Sequence, residues 1–272
     1  MVTPPCLFDS TFRARAQARS QTAFAAHAFL FDWTERELLS RLQDIKRTFQ
    51  TVLLNGNRTA GHLEHSFPDL RTKQFIPFEN TEILDTPDAP SDLVLSILDL
   101  HARNDLPGAL IQLRKSLKPD GLFLGALFGG ETLHELRASL MHTELARKDG
   151  VSPRVFPFAD KQQMGTLLQR AGFALPVVDS EIVRVTYDTP FKLLHDLRGM
   201  GENNALFARD KRFVGKDFFS DMAAHYQNHF SEPDGRIRAT FEIIFLLGWA
   251  PHDSQPKPLP RGSATRNLSE IL

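Results

Sequence analysis

Apolar residues after Thr34 recur at helical spacing: Leu38, Leu39, Leu42, Ile45 and Phe49 fall on one face. Thr34 and Glu37 have the separation of a capping box, so the pattern predicts a helix that opens at Thr34. The period then changes. Residues 51–54 are a short apolar run stopped by Asn55-Gly56, which predicts a strand and a turn. Residues 75–78 are a weaker strand candidate, because Pro77 removes a ladder donor. Residues 92–98 read as a buried strand. Asn104-Asp105 then caps a helix with Pro107 in its first turn and Leu106, Leu110, Leu113 and Leu117 on one face. A turn at 118–121, a buried strand at 122–128 ending in Gly129-Gly130, and a long helix from about 131 to 147 follow.

Asp160 caps a helix that points Met164, Leu167, Leu168 and Ala171 inward, and Gly172 closes it. Residues 173–178 and 181–187 read as two strands. Thr189-Pro190 opens a helix towards Met200, residues 199–204 are a Gly-rich loop, a helix covers 217–230, and a strand covers 237–249. The segment after Pro251 is rich in proline and reads as irregular. Strands alternating with helices imply an α/β fold with a mainly parallel sheet covered on both faces. The division expected is an N-terminal helical segment (1–50), a core (51–190), a helical cap inserted between the last two strands (191–236), and the last core strand with a tail (237–272).

Composition excludes more than it selects. A net charge of −1 gives no basic field for nucleic acid or anionic lipid. No apolar run approaches the roughly 18 residues that span a bilayer, so no integral membrane segment is expected. Cys6 is the single cysteine, which rules out an intrachain disulfide and a thiolate zinc cluster and fits a reducing compartment. Arg13, Arg15 and Arg19 lie in an acid-poor N-terminal stretch; this suits an organellar transit peptide, or a basic amphipathic first helix that belongs to the fold.

Several motifs carry a resemblance. Asp92-Leu93-Val94-Leu95-Ser96, His101, Asn104-Asp105-Leu106-Pro107 and the run from Leu117 to Gly121 are similar to the fourth and fifth strand region of class I S-adenosylmethionine (SAM) methyltransferases. The run from Gly125 to Leu133 with Leu136-Arg137, the run Arg170 to Phe173, Leu197 to Asn203, and Arg261-Gly262-Ser263-Ala264-Thr265 resemble one branch of that superfamily. The N-terminal Leu7-Phe8-Asp9 followed by spaced arginines does so too. That branch holds mitochondrial complex I assembly factors described as putative methyltransferases and protein-arginine hydroxylases, with alphaproteobacterial relatives. The resemblance implies a Rossmann-like sheet with one antiparallel strand and a small helical cap. It also implies SAM as cofactor, a protein substrate or partner, and a bacterial cytoplasm or, in a eukaryote, the mitochondrial matrix.

The resemblance fails where the cofactor binds. The family pattern Asp-Leu-Gly-Cys-Gly-Arg-Gly aligns with Leu53, Leu54, Asn55, Gly56, Asn57, Arg58 and Thr59, so the acid is Leu53 and every family glycine is replaced. Asn tolerates left-handed backbone, so the turn can survive, but side chains at 55, 57 and 59 crowd a close-approaching ligand. By the resemblance Asn55, Gly56, Asn57 and Arg58 are the cofactor loop. Glu79 is the candidate for the ribose, although it also reads as a solvated loop acid. Residues 81–90 are too few for the helix and third strand of the family, which truncates the adenine pocket. The expectation is weak or lost SAM affinity.

On the substrate side, Gly129, Gly130, Glu131 and Thr132 follow a strand at the carboxyl edge, where ligands bind in open α/β sheets. Glu131 reads as a catalytic group that orients a nucleophile or a basic side chain, or as the acid that opens a helix. His101 reads as a base or as a hydrogen-bonded structural histidine. Asp196, Arg198, Glu202 and Asn203 can receive a guanidinium or peptide, or cap a helix. The ten histidines show no metal spacing, and a two-His-one-carboxylate iron site has no specifying motif. Three functions remain: methyl transfer, a degenerate fold serving as assembly factor or chaperone, and arginine hydroxylation.

Overall fold

A computed structural model describes residues 6–56, 58–70, 72–76 (as backbone), 82–84, 89–147 and 150–256. Its strands are β1 (Thr51–Asn55), β2 (Thr72–Ile76), β3 (Ser91–Ile97), β4 (Leu117–Phe128), β5 (Ala174–Tyr187) and β6 (Ile237–Trp249). They form one sheet in the order β2-β1-β3-β4-β6-β5. β2, β1, β3 and β4 pair parallel, and β6 runs antiparallel between β4 and β5. This is the mainly parallel sheet with one antiparallel strand that the resemblance implies.

β1, β3, the second half of β4, and β6 are buried on both faces because both are covered, whereas the edge strand β5 is half open to water. Alternation sorts them into two cores. Val52, Leu54, Leu93, Leu95, Leu124, Phe241 and Ile243 point one way, under α3 (Phe29–Gln43), α6 (His134–Arg147), α8 (Pro190–Gly199) and α9 (Lys216–Phe230). Leu53, Val94, Phe123, Ile244 and Leu246 point the other way, under α5 (Leu106–Lys115) and α7 (Lys161–Arg170).

Ahead of the sheet lie α1 (Ser10–Ser20) and the single turn α2 (Phe24–His27); α4 (His62–Ser66) follows β1. The N-terminal segment is tied down by Asn104, whose side chain accepts from the backbone N–H of Leu7 (2.8 Å) and Phe8 (2.7 Å) and donates to the Phe8 carbonyl. α1 turns Arg13, Ala16, Gln17 and Ser20 inward, so its buried face is largely polar.

Four local expectations change. Thr34 is not a cap: α3 starts at Phe29, Thr34 lies fully buried inside it, and Ile45 and Phe49 fall past its end. Apolar residues ahead of Thr34 (Leu30, Phe31) already belong to the buried face, which overrides the capping-box spacing. The Lys118–Gly121 turn is an irregular part of β4, with Asp120 at φ 61° and a register shift opposite 91–93. The two strands read at 173–187 are one long edge strand, β5. Pro77 and Phe78 lie outside the described residues, and β2 spans Thr72–Ile76. Among the described residues no strand lies beyond β2, and 14 residues separate Ile76 from Ser91.

Phe241 is fully buried in β6, with its ring centroid 6.1 Å from that of Phe128. Phe241→Ala is expected to cost about 3–5 kcal/mol in urea unfolding. A loss below about 1 kcal/mol would mean that the β4–β6 core is not packed as described.

Candidate functional site

The carboxyl ends of β1 and β3 meet at one edge of the sheet, the edge where ligands bind in this class of fold. β1 ends in Asn55, followed by Gly56 at φ 95°. A Cβ at Gly56 would stand 3.3 Å from the Asp99 Cβ, so the position favours glycine for both its backbone and its space. The Asn55 side chain does not point into open space. It is buried and donates to Ser96 Oγ (2.9 Å) and Asp99 Oδ2 (3.3 Å).

Asp99 gathers two arginines. Arg103 Nη2 donates to its Oδ2 at 3.0 Å; Arg13 Nη1 donates to its backbone carbonyl at 3.1 Å, with Nη2 3.6 Å from Oδ1. Arg58 turns away from the turn that carries it. It donates to the carbonyls of Met200 (2.8 Å) and Gln17 (2.5 Å) and to Ser20 Oγ (2.7 Å), and its guanidinium lies over the Phe24 ring. Asn55 and Arg58 therefore stitch β1 to β3, α1 and the end of α8. Asn57, Glu79 and residues 261–265 lie outside the described residues.

His101 is buried just past β3, and its Nε2 is 3.0 Å from Glu202 Oε2. Glu202 belongs to the loop after α8, and Arg13 Nη2 stands 4.0 Å from its other oxygen. Burial would raise the Glu202 pKa, but His101, Arg13 and Arg58 outweigh it and hold the carboxyl below its ordinary value. Asp99 behaves likewise: burial opposes ionisation, and Arg103, Arg13 and His101 prevail.

Beside this pair lies a cavity of about 310 Å³. Phe128, Phe156, Phe158, Leu136 and Phe241 form apolar walls, and Thr132, Arg154, Arg198, Asn203 and Glu202 bring polar groups to it. Glu202 is the one carboxylate of its lining. Its Oε1 has no donor at hydrogen-bonding geometry among the described residues. Arg154 is engaged elsewhere, with Nε donating to Glu144 at 2.7 Å. An apolar-walled cavity with a few convergent polar groups is the usual form of a small-ligand site.

The other sequence candidates separate. Glu131 is exposed, beside His134, and opens on a different cavity with Arg184, Glu232 and Arg238. Gly129 is where β4 leaves the sheet against β6; a Cβ there would stand 2.6 Å from the Glu242 carboxyl carbon. Gly130 faces open space. Thr132 exchanges hydrogen bonds with the Glu242 backbone, its hydroxyl donating to the carbonyl and accepting from the N–H, both at 3.1 Å. Asp196 pairs with His27 (Nδ1 to Oδ1, 2.7 Å). Arg198 and Asn203 stand at the cavity's edge. Thus His101, Thr132, Arg198, Glu202 and Asn203 share one neighbourhood, while Glu131, Gly129, Gly130 and Asp196 lie around it.

Sequence reasoning missed Arg13, Ser96, Asp99 and Arg103. Asp99 carried a signal, an acid at the end of a buried strand, and Arg103 sits four residues on. Arg13 carried none, because a charge on an amphipathic helix reads as solvated.

The depressed carboxyl groups set a sign. Their stabilisation is present above the ordinary values of 3.8 for Asp and 4.5 for Glu and is lost as pH falls through the lower folded values. Glu202→Gln is expected to narrow its stability gap to the native protein as urea unfolding is taken from neutral pH to about pH 3. A gap that stays constant would show that Glu202 is not held ionised.

No family model matches the chain. Its relatives are informative. It is 36% identical to the "Arginine-hydroxylase NDUFAF5, mitochondrial" of Danio rerio, over 97% of this chain and 89% of that one. The protein of the same name in Rattus norvegicus is 44% identical over 89% and 77%. The malonyl-[acyl-carrier protein] O-methyltransferase of Xylella fastidiosa is 30% identical over 90% and 89%. Among solved structures, the YcgJ protein of Bacillus subtilis superposes with a TM-score of 0.50 at 14% identity, over 80% of this chain and 99% of that one. The phosphoethanolamine N-methyltransferase 2 of Haemonchus contortus, in complex with S-adenosylhomocysteine, superposes at 0.51 with 13% identity, over 89% and 59%. The chain therefore belongs to the NDUFAF5 arginine-hydroxylase family and has the Rossmann-like fold of class I SAM methyltransferases.

Proposed function

We propose that this protein acts on a partner protein of the respiratory complex I assembly type, taking an arginine side chain into the cavity beside Glu202 for hydroxylation. The observation that carries the reading is Glu202, the carboxylate in the lining of an aromatic-walled cavity. An arginine has an apolar stem that suits phenylalanine walls, and its planar head pairs with carboxylates. His101, Arg13 and Arg58 already act on Glu202, so an incoming arginine would share its carboxylate with them.

The same reading takes SAM affinity as lost. The residues at the end of β1 do not fit the methionine end of that cofactor: Asn55 fills the first family glycine position and bonds across to β3. No step of the chemistry is routed through SAM. The compartment that goes with this reading is the bacterial cytoplasm, or the mitochondrial matrix in a eukaryote.

A second reading, SAM-dependent methyl transfer to a carboxylate, has its own support. Gly56 keeps positive φ at the turn, and Arg198, for which no ion pair is found among the described residues, lines the cavity. Mass spectrometry of a co-expressed partner subunit separates the two. Hydroxylation turns one arginine C–H into C–OH, with one atom of O2 inserted and the other reduced to water by a two-electron co-substrate, and the addition of one oxygen is expected to disappear in Glu202→Ala. A gain of one methylene on a carboxylate would overturn the proposal, and a stable complex with no mass change would leave an assembly factor without catalysis.

A further inference from the structure

A second polar cluster lies where α2 meets α8. His27 comes from α2, and His195 and Asp196 are consecutive on α8. One donor atom from each lies within 4.8 Å of the other two. Two donors about 2.1 Å from one ion stand about 3–4 Å apart, so a modest rotamer change closes the set. His195 is exposed and free to make it, whereas His27 and Asp196 are mostly buried and already joined at 2.7 Å.

The fold makes room for this arrangement. A Cβ at Gly199 would stand 2.1 Å from His27 Cδ2 and 2.2 Å from Cγ, so only glycine lets the imidazole rest on the α8 backbone. Within the Leu197–Asn203 motif, Gly199 is not part of the acceptor cavity's lining, whereas Leu197, Arg198, Glu202 and Asn203 are. Behind Asp196 lies Tyr187, a buried phenol whose hydroxyl has no hydrogen-bond partner at good geometry among the described residues. The Asp196 carboxylate lies beside that hydroxyl. Such an outer partner orients a ligating carboxylate.

We propose that His27, His195 and Asp196 bind a first-row divalent transition-metal ion. Two imidazoles and one carboxylate suit ions such as Fe²⁺, Co²⁺ and Zn²⁺ and leave coordination positions open. The site opens on a cavity of about 380 Å³, which shares Arg198 and Asn203 with the acceptor cavity. Arg19 and Arg198 line it too, and their charge favours an anion on the open positions of the ion. The inference stands on this geometry alone and does not need arginine to be the acceptor.

The test is a titration of the full-length protein with Co²⁺, followed by its visible absorption bands and by calorimetry. One equivalent is expected to bind saturably. His195→Ala, at an exposed position that leaves the fold intact by circular dichroism, is expected to weaken binding about tenfold or more. Tyr187→Phe is expected to weaken it less. The stacked histidines His142, His225 and His229 are the competing locus, with ring centroids 4.1 Å apart in each adjacent pair. Absence of saturable binding at millimolar Co²⁺, binding unchanged by His195→Ala, or binding abolished by His225→Ala would each overturn the proposal.

Discussion

Two buried carboxylates, Asp99 and Glu202, hold Arg13, Arg103 and His101 against the carboxyl edge of the sheet, and the rest of the site depends on them. They join α1, the segment after β3 and the loop after α8, none of which is adjacent in sequence. Charges out of water are costly unless paired, so each partner fixes the others. Replacing such a network by well-packed apolar groups is often neutral in stability, whereas removing one partner costs about 3–5 kcal/mol. The network therefore does more to define geometry than to add net stability. It also explains why α1 buries arginine, glutamine and serine on a helix that would otherwise present an apolar face.

The same network sets what the sheet edge can do. In this fold the first strand hands over to a turn that a ligand approaches closely, and glycines make that approach possible. Here Asn55 closes the gap between β1 and β3, and Arg58 reaches back to carbonyls on α1 and α8. Gly56 keeps the turn. One step along the edge lies the cavity walled by Phe128, Phe156 and Phe158, with Glu202 in its lining.

Much of the scaffold was legible in the sequence. Residues 93–98, save Ser96, and 122–128 carry no polar side chain because both faces of those strands are buried, and Asp105 and Asp160 cap their helices as their spacing predicts. The failures have physical causes. Thr34 sits inside α3 because the buried apolar face begins four residues earlier, at Leu30, and 173–187 is one strand because its polar residues lie on an edge where water satisfies them. The loop Leu53–Thr59 announced a changed site but not what replaced it. That depended on Arg13, some forty residues away, and on the 142-residue separation between Arg58 and Met200. Pattern reasoning sees neighbours at helix or strand spacing and is blind to ion pairs closed by tertiary structure.

The most direct measurement is isothermal titration of the folded protein with S-adenosylhomocysteine, beside a variant that restores glycine at Asn55 and Asn57. With the charge network closing the end of β1, the native protein is expected to give no saturable heat at millimolar ligand. Micromolar binding by the native protein would contradict the account, because the cofactor would then reach a position that Asn55, Asp99 and Arg58 are argued to fill.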